Sequence, residues 1–493
     1  MPYVLGVHLG TTTTSAAVMG RNGGRWTTPV PFPLGTTRPE VPSLVRRLPD
    51  GGYLVGEAAA QRAEAPEWTC SHFVTSLGED APLLLGGEFV PAQRLVATVV
   101  EWVADQVTHR HGYPPEHIAV AHNCWWGPHR THLVHRALAE LGITDVTLLP
   151  ETLAVAVDYV SKQTVADGGT IVVGNTGGSG SGVAVLRKHE QSSSADLSAR
   201  GPGSGLEPLG PTVESETPAG AELDELVLER VRTEFADSFA RLDPADPGHR
   251  AAASRLRAEC TRAREELSHR ELARFSVPLP DEPGEFELSR GGYERMARAR
   301  LEWLPEMLVQ TVQSVSLAPE DLEAVVLAGG PARTPLLREL VRQRLHERVP
   351  APDASGPPVR VDGSPELVAA RGAAFRAAEV LSAATDRAAA GAETSVLMRV
   401  RDPGEDNPVT ENEYGVDSTE AVIENASADP TVPPPRPPVE VEPMSVEPTP
   451  TKKSFKILKL TLAALLIAFG LVMTFVQGFG GQSAGPGIVQ QAK

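Results

Sequence analysis

Cysteine is nearly missing from this chain of 493 residues: only three are present, Cys70, Cys124 and Cys260, far apart and with no C-x-x-C pair. That excludes a disulfide framework and a cysteine zinc site, and leaves the expectation of three reduced, mostly buried thiols. Positive charge is also short. Lys and Arg number 45 against 63 Asp and Glu, so the balance is 45 − 63 = −18, with a pI of about 5.3. A polyanion would be repelled, so nucleic acid is not an expected partner. Aromatic residues are few, at 5%, yet hydrophobic residues reach 41%, too many for a wholly disordered chain. The opening stretch MPYVLGVHLGTTTTS has neither a basic region nor a long apolar run, so no secretory signal is expected there. Two nucleotide signatures are absent as well. No G-x-x-x-x-G-K precedes Ser or Thr, and no G-x-G-x-x-G leads from a strand into a helix. A P-loop or a Rossmann site is therefore not expected.

What is there changes character along the chain. Up to about residue 385, apolar runs alternate with polar helical stretches. Strands are expected at Tyr3–Leu9, Ser15–Met19, Ile118–Ala121, Thr147–Leu149, Thr170–Gly174, Gly182–Leu186 and Ala324–Leu327. Helices are expected at Leu95–His109, His129–Leu141, Ala221–Phe239, Ala252–Leu267, Tyr293–Val315, Pro335–Leu345 and Pro365–Ala384. Interleaving of the two argues for an α/β core. Two hairpins with small-residue turns, GTTTT and NTGGSGS, are alike in form and suggest a duplicated architecture. Gln191–Thr217 is polar and rich in Gly, Pro and Ser, which reads as an inserted surface loop.

From 386 to 456 the composition is acidic and proline-rich, and TVPPPRPPVEVEPMSVEPTP cannot form helix or central strand because proline fixes φ and lacks the N–H. An extended, partly polyproline-II linker is expected. PPPRPP could dock into an aromatic groove on a partner, or serve only as a stiff spacer. Lys452, Lys453, Lys456 and Lys459 then precede Leu460–Phe479, which carries no charge. About 20 such residues span a bilayer as a helix. A transmembrane helix is thus expected within 457–479, followed by a short tail, 480–493. The lysines lie on its N-terminal side only, so the positive-inside rule puts the large N-terminal part in the cytoplasm, at the cell membrane, in a single-pass topology.

Three glycine turns follow apolar strands: LGTTTTS, NTGGSGS and LAGGPART. Glycine lets backbone approach a ligand, and successive N–H groups make a nest for an anion. His129, His132 and His135 invite a metal reading, but helical spacing turns His129 away and no acidic partner shares the face, so a surface helix is expected. The order and context of the turns resemble the actin-like ATPases, and specifically the nucleotide-binding domain of the 70-kDa heat-shock chaperones of DnaK type. LGVHLGTTTTSAAV resembles the first phosphate loop, VVGNTGGSGSGVAVL the second, and VVLAGGPARTPLLRELV the adenosine loop. LLPETLAVAVDYV and SPELVAARGAAFRA resemble the two connecting helices; AGAELDELVLERV and CTRAREELSHR are weaker matches. The resemblance covers roughly residues 1–382. It implies an α/β, two-lobed actin-like fold with duplicated ribonuclease H-like cores, lobe I near 1–165 and lobe II near 166–385, ahead of the linker and the membrane helix. It also implies an ATP or ADP site. Gly10, Thr11, Thr12 and Thr13, with Gly177 and Gly178, would meet the phosphates. Gly329, Gly330, Arg333, Arg264, Ser268 and Glu366 would meet the adenosine, with Thr261 where the family has glutamate.

The departures bear on activity. The resemblance places three aspartates around the hydrated magnesium and the attacking water; here those positions are His8, Asn175 and Gly182, and Val74 stands in the place of a water-positioning lysine. Only the glutamate of the first connecting helix is kept, as Glu151. Magnesium wants oxygen ligands and carboxylate charge, and phosphoryl transfer rests on positioning and charge neutralisation. Loss of one such group costs a factor of about 100 to 1000 in rate. The expectation is a membrane-tethered, chaperone-like pseudo-ATPase without a metal site, acting as a nucleotide sensor or scaffold for an unknown protein partner. The family's client-binding half is not expected after residue 385. Two alternatives stay open: a weakly active ATPase of the chaperone class, with His8 as a new base in one counter-reading, and an interaction module that binds no nucleotide.

Overall fold

Tyr3–Leu9 is buried along its whole length except at His8. A strand covered on both faces sits inside a sheet rather than at its edge. In the computed structural model this strand lies inside the first sheet, in the order Val146–Pro150, Ile118–His122, Tyr3–Leu9, Thr13–Asn22, Arg25–Trp26. Tyr3–Leu9 pairs antiparallel with Thr13–Asn22 and parallel with Ile118–His122, which is parallel to Val146–Pro150. The second sheet repeats that plan. Thr170–Thr176 pairs antiparallel with Ser181–Lys188 and parallel with Leu322–Ala328, which is parallel to Val359–Val361. The duplicated α/β architecture follows from this repeat. The described residues are 2–61, 66–189, 205–280, 283–348 and 356–399, with side chains up to 385. They all lie in the compact unit Met1–Gly404; a second unit, Glu405–Lys493, falls wholly outside them.

Strand alternation sends side chains to opposite faces, and each lobe fills its outer face with its own core. In lobe I, Leu5, Val7 and Leu9 pack with Leu95, Val96, Val99 and Val103 of the helix Ala92–His111. In lobe II, Val172, Val325 and Leu327 pack with Leu223, Val227, Leu304 and Leu308. The inner faces share a third core. Val4 and Ala17 from the first sheet and Ile171 and Val173 from the second close on Ala154, Val155, Ala370, Ala373 and Ala374. These last residues belong to two connecting helices, Glu151–Lys162 and Val368–Arg399. The helices touch at Gly372, where a Cβ would collide with the Ala154 carbonyl, so only glycine permits the crossing. Beside it, buried Asp158 accepts from Arg371 at 3.0 and 3.1 Å, and Lys162 and Asp362 complete the cluster at 2.7 and 2.9 Å.

Several expectations change. The last helix runs on to Arg399, past the boundary set at 385, because DRAAAGAETSVLMR is alanine-rich and contains no proline. It packs on the first sheet: Trp26 Nε1 donates to Ser382 at 2.9 Å. Lobe II therefore does not own the whole of 166–385. The single helix expected over Tyr293–Val315 is two, Arg290–Leu301 and Trp303–Ser314, because Pro305 cannot sit inside a continuing helix against the Leu301 carbonyl. Within the supposed surface loop, Leu206–Pro208 and Val213–Ser215 both pair with Ser181–Lys188. The cysteines are free, but only Cys260 is buried; Cys70 and Cys124 are half-buried. Among the described residues no helix is long and apolar enough to cross a membrane. The proline-rich run, the apolar segment 457–479 and the tail 480–493 lie outside the described residues.

Candidate functional site

A cavity of about 650 Å³ opens between the lobes above the connecting helices. It is lined by these site residues expected from the sequence: His8, Gly10, Thr11, Thr12, Thr13, Glu151, Asn175, Gly177, Gly178, Thr261, Arg264, Ser268, Gly329, Gly330, Arg333 and Glu366. Gly182 stands outside the lining, and Val74 is wholly buried in the lobe I core. A water-positioning lysine therefore has no counterpart at position 74, and a lysine built there would bury a charge in apolar packing.

The sheets deliver the phosphate-side residues in pairs. Hairpin register sets His8 opposite Ser15, and Asn175 opposite Gly182. Glu151 is the first residue of its helix, after Pro150, where a carboxylate complements the helix N-terminus. Its Oε2 lies 3.1 Å from His8 Nε2, so the carboxylate is engaged by the histidine. Gly182 is in extended backbone, with no positive φ, and a Cβ there would make ordinary contacts of 3.5 Å or more with Cys124, Thr152 and Thr212. On the other side of Gly182 the register sets Glu214. Burial first, then the charge of Glu151, pushes the Glu214 carboxyl up to about 7, with Arg130 acting against them. Burial, with the same glutamate second, pushes the Cys124 thiol up to about 12.

Among the lining residues of the phosphate half, Glu151 is the one carboxylate, and His8 already holds it. No group of three or more His, Cys, Asp or Glu among the described residues could hold a metal ion. That covers His129, His132 and His135, which are exposed along the helix Pro128–Glu140.

The cavity wall away from the first glycine loop ties up its cations. Arg333 makes a bidentate pair with Glu366 at 2.8 and 2.9 Å. Arg264 is nearly buried, and its Nε donates to Asp224 at 2.5 Å; Thr261 donates to the same carboxylate at 2.9 Å. Asp224 was not singled out from the sequence, although AGAELDELVLERV contains it. Arg38 and Glu40 enter from lobe I, and Arg38 reaches across the cleft to Glu265 on the helix Pro247–Glu266 at 2.5 Å. No sequence signal pointed to either.

The model of the family described as Hsp70 protein matches residues 54–389. The chain belongs to the Hsp70 family. Similar curated proteins include three named chaperone protein DnaK. The one from Elusimicrobium minutum is 28% identical over 71% of this chain and 55% of its own length. Those from Endomicrobium trichonymphae and Metamycoplasma hominis are 25% and 22% identical, over 71% and 69% of this chain and 54% of their own lengths. The chain thus spans about half the length of the curated relatives it matches. Its mixed α/β fold agrees with the actin-like nucleotide-binding domain of this chaperone family.

Proposed function

We propose that this Hsp70-family chain binds adenine nucleotide between its lobes without hydrolysing it efficiently, and acts as a nucleotide sensor or scaffold. One observation carries the reading: the cleft keeps both glycine loops and the Arg333–Glu366 wall, while His8 occupies the first aspartate position and engages Glu151. An anionic cradle for a divalent ion is missing, and one engaged carboxylate does not replace it. Catalysis of phosphoryl transfer would lack both charge neutralisation and an in-line water. The same reading places the chain at the cytoplasmic face of the cell membrane, tethered by Leu460–Phe479, with a protein partner met through the lobes or the proline-rich linker. The observation behind the tether is the uncharged run preceded by four lysines.

Steady-state ATP turnover of the full chain tests the central claim. Turnover at the buffer rate is expected, and His8→Ala leaves it there. The triple variant His8→Asp, Asn175→Asp, Gly182→Asp is expected to gain magnesium-dependent nucleotide binding. Gly182 has room for the added Cβ and needs no positive φ, so the third change is not strained at the backbone. Wild-type turnover that disappears in His8→Ala would overturn the reading and make His8 catalytic.

A further inference from the structure

We infer that Arg38, from lobe I, stacks on the base of an adenine nucleotide in the cavity, so that the ring is held between Arg38 and Arg333 of lobe II. The inference rests on the reading of the cavity as an adenine site and names a base-contacting residue within it.

A base is held by the flat groups that stack on it. No Phe, Tyr or Trp lines the cavity, but four arginines do: Arg38, Arg262, Arg264 and Arg333. A guanidinium is planar and stacks on aromatic faces. Two of the four are taken out of use by their surroundings. Arg264 is nearly buried, with 8% of its side chain exposed, and its Nε is tied to Asp224. Arg262 lies back on its own helix, bonded to Glu259 at 2.7 Å and Glu266 at 3.0 Å, and reaches the Arg274 carbonyl on the neighbouring strand. Arg38 and Arg333 keep 51% and 27% of their side chains exposed.

These two are tied by their edges. Arg333 gives two N–H groups to Glu366 at 2.8 and 2.9 Å, and Arg38 Nη2 donates to Glu265 at 2.5 Å. The N–H groups of a guanidinium lie in its plane, so such bonds fix the plane and leave its faces free. Each pairing also neutralises its cation, which suits a neutral ring better than an anion. The two arginines share a neighbourhood. The Glu265 hydrogen bond is the first cause that raises the Arg38 pKa, and the charges of Glu40 and Glu366 act in the same direction. Arg333 is raised first by Glu366, and Glu40 acts on it as well. Arg38 thus stands within the field of the carboxylate that holds Arg333.

The loop that carries Arg38 is set before any ligand arrives. The Leu34 N–H donates to the Pro39 carbonyl at 3.0 Å, and the Thr36 N–H and hydroxyl donate to Glu57 at 3.0 and 2.9 Å. At Gly35 a Cβ would come within 2.7 Å of the Arg38 carbonyl, so the turn closes tightly under the arginine. A group held in place in advance loses little freedom on binding.

Isothermal titration of the full chain with ADP tests the inference in three variants. Arg38→Ala removes plane and charge, Arg38→Lys keeps the charge and a partner for Glu265 but loses the plane, and Arg38→Phe keeps a plane without the charge. Arg38→Ala and Arg38→Lys are each expected to bind ADP about tenfold more weakly than wild type, and Arg38→Phe within about threefold of it. The side chain is half exposed, so melting temperatures equal to wild type are expected and serve as the folding control. Wild-type affinity in Arg38→Ala or Arg38→Lys would overturn the inference, the second by reducing Arg38 to a charge that bridges the lobes. Arg38→Phe as weak as Arg38→Ala would also overturn it. All three results leave the adenine-site reading standing, whereas a wild-type chain that binds no ADP removes that reading and the inference with it.

Discussion

At the scale of single residues, His8 and Asn175 were legible because each lies at a strand end just before a glycine turn whose local pattern is recognisable, and both line the cavity, whereas Gly182, read in the same way, stands outside its lining. Glu214 was not legible. It lies in a segment that reads as loop, and it reaches the site only because Val213–Ser215 pairs with a strand about 30 residues earlier in the chain. Sequence spacing carries no record of that pairing. Glu214 makes a pH prediction. Its carboxyl is raised from an ordinary 4.5 to about 7, so between those values the folded chain holds a proton that the unfolded chain has lost. Stability at this group is therefore fully present below 4.5, falls as pH rises through that window, and is flat above it. The groups that act on it are Glu151 and Arg130. Glu379, pushed up to about 7 by burial and opposed by Arg376, adds a slope of the same sign. Glu214→Gln should flatten part of the decline in melting temperature across that window, measured by thermal denaturation over a pH series. A slope equal to wild type would show that Glu214 titrates normally.

At the scale of elements, most strands and helices of the core were readable from hydrophobic period. The failures were at breaks and ends: Pro305 splits one helix, and an alanine-rich stretch prolongs another. The ion pair joining the connecting helices was not readable, since Asp158 and Arg371 are 213 residues apart. Removing one member of a buried pair strands the other, which costs about 3–5 kcal/mol. Arg371→Met should therefore destabilise the fold by about that much in urea denaturation. Asp158→Ala with Arg371→Met removes both charges and should recover most of the loss, because apolar replacement of a whole buried pair is often neutral or better. A double variant no more stable than Arg371→Met would show that the pair contributes more than charge compensation. Lys162 and Asp362 bear on the size of the recovery, since each contacts a member of the pair.

At the scale of the whole molecule, the duplicated sheets were foreshadowed by two similar hairpins, while the shared third core was not, because it joins segments from both ends of the domain. With the apolar run as a single span and the lysines inside, protease added to right-side-out cells should leave residues 1–385 intact. Digestion of that part from outside would reverse the orientation. The third core has a further consequence, for the order of synthesis. A ribosome delivers Tyr3–Leu9 first, yet the inner face of that strand is covered by Ala370, Ala373 and Ala374, which emerge more than 360 residues later. At about 5–20 residues per second, the interval is on the order of tens of seconds. Through all of it, Val4, Ala17 and Met19 have no lid from the last helix. The closing step of folding thus waits on the C-terminal helix, which completes the cover of the first sheet's inner face.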